Sequence, residues 1–135
     1  MSTMDTSVYD PNGNGIVDSA EGIDIQLVTD GPIQQYQCLS INNQSRVYPT
    51  DWPTPESCET VIGIALESTN SSGNIIKIRT FGMVVNNAWN FKPGKAVYVS
   101  YSGFLTQDVL VRPFSKVGFA LATNALWVRI SEGVF

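Results

Sequence analysis

The chain has 135 residues, 43% of them hydrophobic and 15% charged, with a net charge of −4 and no histidine. That length fits one domain able to bury a core without disulfides or metal, and the apolar share excludes a disordered acidic tail. Without histidine there is no Ser-His-Asp or Cys-His catalysis, no histidine-containing zinc site and no histidine pH switch, and the acidic balance argues against a general nucleic-acid binder.

The charged share lies below the globular average of roughly 25%, so much of the surface is expected to be neutral or to meet a partner. Cys38 and Cys58 are too few for a disulfide scaffold or a four-cysteine zinc site. Two separately buried thiols are the plainer reading, with a single disulfide as the alternative. The polar opening from Met1 to Asp10 shows no signal peptide, and no apolar run approaches the ~20 residues of a membrane span. A soluble product made in a reducing compartment is expected. Residues 1–67 hold ten acids and one base, Arg46, whereas residues 68–135 hold two acids and seven bases. Either the two halves interleave within one domain, or acidic and basic surfaces meet between subunits.

In chain order, residues 1–23 are polar and lack an apolar period, which predicts an extended N-terminal arm. Within it, Asp10-Pro11-Asn12-Gly13-Asn14-Gly15-Ile16-Val17-Asp18-Ser19-Ala20-Glu21 matches the twelve-residue calcium-loop pattern. Ligands would be Asp10, Asn12, Asn14, the Ile16 carbonyl, Asp18 and bidentate Glu21. No helix signal flanks the loop, so the competing reading is a turn-rich arm whose Asp, Asn and Gly imitate it. We adopt the arm, with Val8, Tyr9, Asp10, Ile16 and Val17 as contact candidates, and keep calcium as the only cofactor considered.

Residues 24–60 carry short apolar runs, including Ile25–Val28 and Gln35–Leu39, broken by Asp30-Gly31-Pro32, Asn42-Asn43 and the prolines 49, 53 and 55. From residue 61 onward β-like runs dominate: Ile62–Leu66, Ile75–Thr80, Ala96–Val99, Val117–Leu121 and Leu126–Ile130. No window of 11 or more residues keeps a helical period without interruption. Two segments echo each other. Ile62-Gly63-Ile64-Ala65-Leu66 followed by Ile76-Lys77-Ile78-Arg79 parallels Val117-Gly118-Phe119-Ala120-Leu121 followed by Leu126-Trp127-Val128-Arg129. Each reads as a hairpin whose first strand carries a glycine for a bend or a close backbone approach. Residues 24–135 are therefore expected to form an all-β domain, a small pseudo-symmetric barrel or a sandwich of short antiparallel strands.

No nucleophile motif is present, and choosing Glu56, Glu59 or Glu67 as a glycosidase pair is arbitrary among twelve acids. Trp89, Phe91, Tyr98, Tyr101 and Phe104, with Trp52 and Trp127, could line a sugar site; core and interface filling is the plainer role.

The runs Val61–Leu66, Ile78–Val84, Ala88–Gly94, Ala96–Ser100, Gly103–Gln107, Val117–Leu121 and Val128–Ile130 resemble a domain of tailed-bacteriophage capsid decoration (cement) and head-fibre proteins. The opening Tyr9–Ala20 is similar to N-terminal arms of head-fibre-like proteins. The resemblance covers about residues 60–131 and, more loosely, 8–23. It implies a β-rich virion protein, made in the bacterial host cytoplasm, that sits on the outer capsid surface as a homotrimer. Its partner would be the major capsid protein, with no nucleic acid, no membrane and no catalytic residues. Together with the charge split, it makes Lys77, Arg79, Lys92 and Lys95 candidate subunit or capsid contacts. The alternative is a host-receptor or carbohydrate-binding module of a head fibre or tail.

Overall fold

In a computed structural model, the described residues are 22–108 and 115–130. They form nine strands: β1 (Gly22–Thr29), β2 (Cys38–Ile41), β3 (Arg46–Pro49), β4 (Val61–Ala65), β5 (Ile75–Val85), β6 (Ala96–Val99), β7 (Leu105–Thr106), β8 (Lys116–Ala122) and β9 (Ala125–Arg129). A single helical turn, α1 (Pro55–Glu59), links β3 to β4. The fold is all-β, as expected.

The strands follow the order β1-β3-β2-β4-β5-β9-β8-β6-β7, and β1 also pairs with β5. That extra pairing closes the first five strands into a barrel and leaves β9, β8, β6 and β7 as a sheet growing out of it. Long β5 makes both possible. Its residues 75–82 pair with β1, and its residues 81–85 continue beyond the barrel to pair with β9. A β-bulge in the β1–β5 ladder, where Ile23 faces Phe81 but Asp24 faces Arg79, turns the strand between its two roles. The β1–β3 pair is parallel, and the other barrel pairs are antiparallel.

Two apolar cores result. Leu39, Val47, Ala65, Ile76 and Ile78 fill the barrel with Ile33. Cys38, Ile64, Val84, Phe91, Val97, Val99, Val117, Leu126 and Val128 pack between barrel wall and outer sheet. Successive strand residues point to opposite faces, so Cys38 and Leu39 on β2, and Ile64 and Ala65 on β4, serve different cores. β2 and β4 form the wall that both layers share.

The structure departs from the sequence expectations at four places. β1 begins at Gly22, inside the segment read as the arm, because Gly22 and Ile23 pair with Gly82 and Phe81. Residues 34–37 turn before β2 begins: Tyr36 has a φ of 77°, and the Gln37 amide donates to the Gln34 carbonyl at 3.1 Å. β3 and α1 emerge from the proline-rich zone. Asn42 Oδ1 accepts from the Gln44 and Arg46 amides to shape the β2–β3 turn, and Pro55 opens the helical turn. Finally, the two echoing hairpins do not build one symmetric barrel, since β4–β5 lies in the closed wall and β8–β9 in the outer sheet.

Candidate functional site

Cross-strand partners share a face of a sheet, so the register identifies what the outer sheet presents to solvent. Ile23, Phe81 and Arg129 form one row across β1, β5 and β9. Met83, Trp127, Phe119 and Ala96 form the next across β5, β9, β8 and β6. This face is the reverse of the one that packs on the barrel. Phe81 meets Trp127 edge to face at 5.2 Å, yet Phe81 is 41% exposed and Ile23 60% exposed. Phe119 and Trp127 are half-buried beside them and Met83 is buried, so Ile23 and Phe81 are the exposed apolar side chains of these rows. An apolar sheet face of this kind is a candidate interaction surface.

The basic candidates divide. Lys92 and Lys95 lie on one exposed turn, where the Gly94 amide donates to the Ala120 carbonyl beside exposed Leu121. Lys77 is exposed on the barrel wall opposite Gln26. Arg79 is different: it is buried, its Nε donates to Asp24 Oδ1 at 2.6 Å and its Nη2 to Oδ2 at 3.0 Å. A third donor reaches the Met83 carbonyl. Arg79 is thus an internal clamp across the bulge and leaves the solvent-facing set. It also joins the acidic half of the chain to the basic half within one molecule. Val8, Tyr9, Asp10, Ile16 and Val17, and the calcium-loop positions Asp10, Asn12, Asn14, Ile16, Asp18 and Glu21, lie outside the described residues.

Hydroxyl and thiol groups at the β2–α1 contact are structural. Ser40 Oγ donates to the Ser57 carbonyl at 2.7 Å and lies 2.9 Å from Thr50 Oγ1, and Ser57 Oγ accepts from the Asp51 amide at 2.7 Å. Ser115 Oγ donates to the Cys58 carbonyl at 2.7 Å, tying β8 to the same corner. All three serines are buried. Cys38 and Cys58 are free thiols, both buried. Burial pushes the Cys38 thiol up to about 12 against a partly offsetting hydrogen bond from Thr50, and burial followed by the Asp51 charge raises Cys58. A buried neutral thiol is a poor nucleophile. No cluster of three metal-ligating side chains occurs among the described residues.

One cleft of about 520 Å³ opens where the 34–37 turn approaches the segment after β5. Gln34, Gln35, Tyr36, Asn86, Trp89 and Phe104 line it. Tyr36 meets Trp89 edge-on at 5.4 Å, and Trp89 lies against Phe91 at 5.0 Å. Of the aromatic residues singled out in the sequence, only Trp89 and Phe104 belong to this cleft; Trp52 pairs with Tyr101 elsewhere. Sequence reading missed Gln34 and Tyr36, because the run Gln35–Leu39 looks like a strand, and Asn86, because it sits in a polar Asn86-Asn87 stretch that carries no pattern of its own. No protein-family model and no curated protein matches the chain.

Proposed function

We propose that this chain is a virion structural protein, a decoration or cement protein that binds the outer surface of a tailed-phage capsid and stabilises it without catalysis. The observation that carries the reading is the open sheet face built by Ile23, Phe81, Trp127 and Phe119, an apolar surface on a sparsely charged chain. The phage-like runs of residues 60–131 supply its strands β5, β8 and β9, and β1 adds Ile23. Lys92 and Lys95 at one end add a basic edge that suits the acidic N-terminal half of a neighbouring copy.

In a cyclic homotrimer each subunit sets one patch against a different patch of the next, which is the arrangement that complementary charges favour. A protein that binds only the assembled shell adds stability by mass action, and three linked contacts raise avidity without a stronger individual contact. The test compares capsids carrying the protein with capsids lacking it under heat and osmotic shock. The decorated particles should survive longer, and Phe81→Ser should abolish rebinding to bare shells. Equal survival, or placement of the chain on the tail by electron microscopy, overturns the proposal. Light scattering should give a trimer whose dissociation is promoted by salt; a monomer at every ionic strength removes the trimer from the reading.

A further inference from the structure

We infer that the cleft lined by Gln34, Gln35, Tyr36, Asn86, Trp89 and Phe104 is a binding site for a neutral oligosaccharide. Its volume of about 520 Å³ lies within the span of small-ligand sites, roughly 300–1,000 Å³. The chemistry of its wall narrows the ligand class. None of the lining residues carries a charge, so a phosphate, a carboxylate or an ammonium group would enter without a counter-charge. Carboxamides offer a donor and an acceptor on one planar group, which suits sugar hydroxyls that themselves do both. The electron-rich face of an indole or phenyl ring attracts the weakly positive C–H face of a pyranose. A wholly apolar ligand would cover the amides and leave them without partners.

The polar groups are also available. Asn86 Oδ1 accepts from the Ala88 amide at 3.0 Å, which leaves Nδ2 as the free end. Gln35 Nε2 donates to the Leu66 carbonyl at 3.1 Å, which leaves Oε1 as an acceptor. The Gln34 carboxamide makes no hydrogen bond among the described residues. One donor end, one acceptor end and one amide of the lining residues are therefore left without a partner among the described residues.

The site is held ready. Tyr36 sits in the left-handed region that a bulky side chain avoids, and sparsely populated backbone of this kind concentrates at binding sites. Its conformation is fixed from several directions. The Tyr36 amide donates to the Ala65 carbonyl at 2.8 Å, and the Gln34 amide donates to Gln37 Oε1 at 2.7 Å. Gln37 Nε2 reaches across to the Ser102 carbonyl at 2.9 Å and ties the turn to the segment carrying Phe104. Tyr36 and Phe91 together brace the Trp89 ring, so a sugar would meet a stacking surface already in place.

The inference is independent of the capsid role and is tested on the isolated full chain. ¹⁵N-labelled protein is titrated with cellotriose, maltotriose, chitotriose and lactose, with a nucleoside monophosphate and a synthetic peptide of residues 1–21 as controls. At least one saccharide should saturably shift the Trp89 indole N–H and the amides of residues 34–37. Phe104, 54% exposed, lies outside both cores, so Phe104→Ala should keep the fold and weaken binding about tenfold. Asn86→Ala should do the same, and a spectrum unchanged elsewhere verifies each fold. If no saccharide moves these resonances, the inference fails. It fails equally if the shifts persist undiminished in Phe104→Ala, or if only the nucleotide or the peptide produces them.

Discussion

The two glycine-bearing hairpins, β4–β5 and β8–β9, have similar sequences and opposite surroundings. In the first, Ile64 packs into the core beneath the outer sheet while Ala65 and Ile78 fill the barrel, so both faces are covered. In the second, Ala120, Leu126 and Val128 are covered while Phe119 and Trp127 face outward. Registers differ too. Ile64 pairs with Arg79, yet the corresponding Phe119 pairs with Trp127 and not with Arg129. The shift is two residues, which preserves which face each side chain takes. Its origin is the connection: the segment between Ala65 and Ile75 is long, whereas Thr123-Asn124 closes a two-residue turn. A local pattern thus sets the hairpin, and the number of layers packed on it sets what it is for. The doubly covered copy holds the fold together, and the singly covered copy presents a surface.

The sharpest way to break this comparison is at the equivalent arginines. Arg79→Ala removes a buried guanidinium that holds both the Asp24 carboxylate and the Met83 carbonyl, and should cost about 1–3 kcal/mol; water reaches the freed Asp24 carboxylate, so no charge is left buried. Arg129 is exposed, and Arg129→Ala should stay within about 0.5 kcal/mol. Urea unfolding of the two variants measures the difference directly, and similar losses would contradict the division of roles.

Next come the glycines. A Cβ at Gly63 would lie 2.3 Å from the Arg79 carbonyl oxygen, and one at Gly118 would lie 1.8 Å from that of Trp127. Backbone atoms cannot step aside as a flexible side chain can, so either alanine should cost about 1–3 kcal/mol or more. The pattern of loss should differ. Gly63→Ala should lower amide-exchange protection throughout both layers, whereas Gly118→Ala should open β8 and β9 while the barrel amides of β2 and β3 stay protected. Uniform loss in both variants would mean that the layers unfold as one unit.

A smaller effect on stability is expected at the outward face. Phe81→Ser removes an edge-to-face contact with Trp127 on a part-exposed site and should cost about 1 kcal/mol, with the larger consequence for partner binding. The least change at neutral pH belongs to Cys38. Its folded thiol is raised from 9.0 to about 12, so the native state keeps its proton where the unfolded chain loses it. Stability from this group is therefore full below pH 9 and falls as pH rises toward 12. A denaturation midpoint that rises over that range, or rapid thiol labelling of the native protein at pH 7, would show that Cys38 is not enclosed as described.

The sequence by itself determined the all-β class and the runs that became β4, β5, β6, β8 and β9. It also marked Gly63 and Gly118 as points of a bulge, a bend or close backbone approach, because β-branched alternation and strand-interior glycine are local properties that need no partner to be read. It missed β3 and α1, whose four- and five-residue lengths are hidden among prolines and turn residues. Arg79 looked like a surface base because nothing in the order of residues shows that Asp24, 55 positions earlier, will lie beside it. The cleft was equally illegible: Tyr36, Trp89 and Phe104 are distant in sequence and meet only when the turn before β2 docks against the outer layer. Closure of β1 onto both β3 and β5 was decided in three dimensions, since pairing between distant strands depends on the whole set of edges available. Strand identity is written in neighbouring residues; which faces stay open to partners depends on how the layers stack.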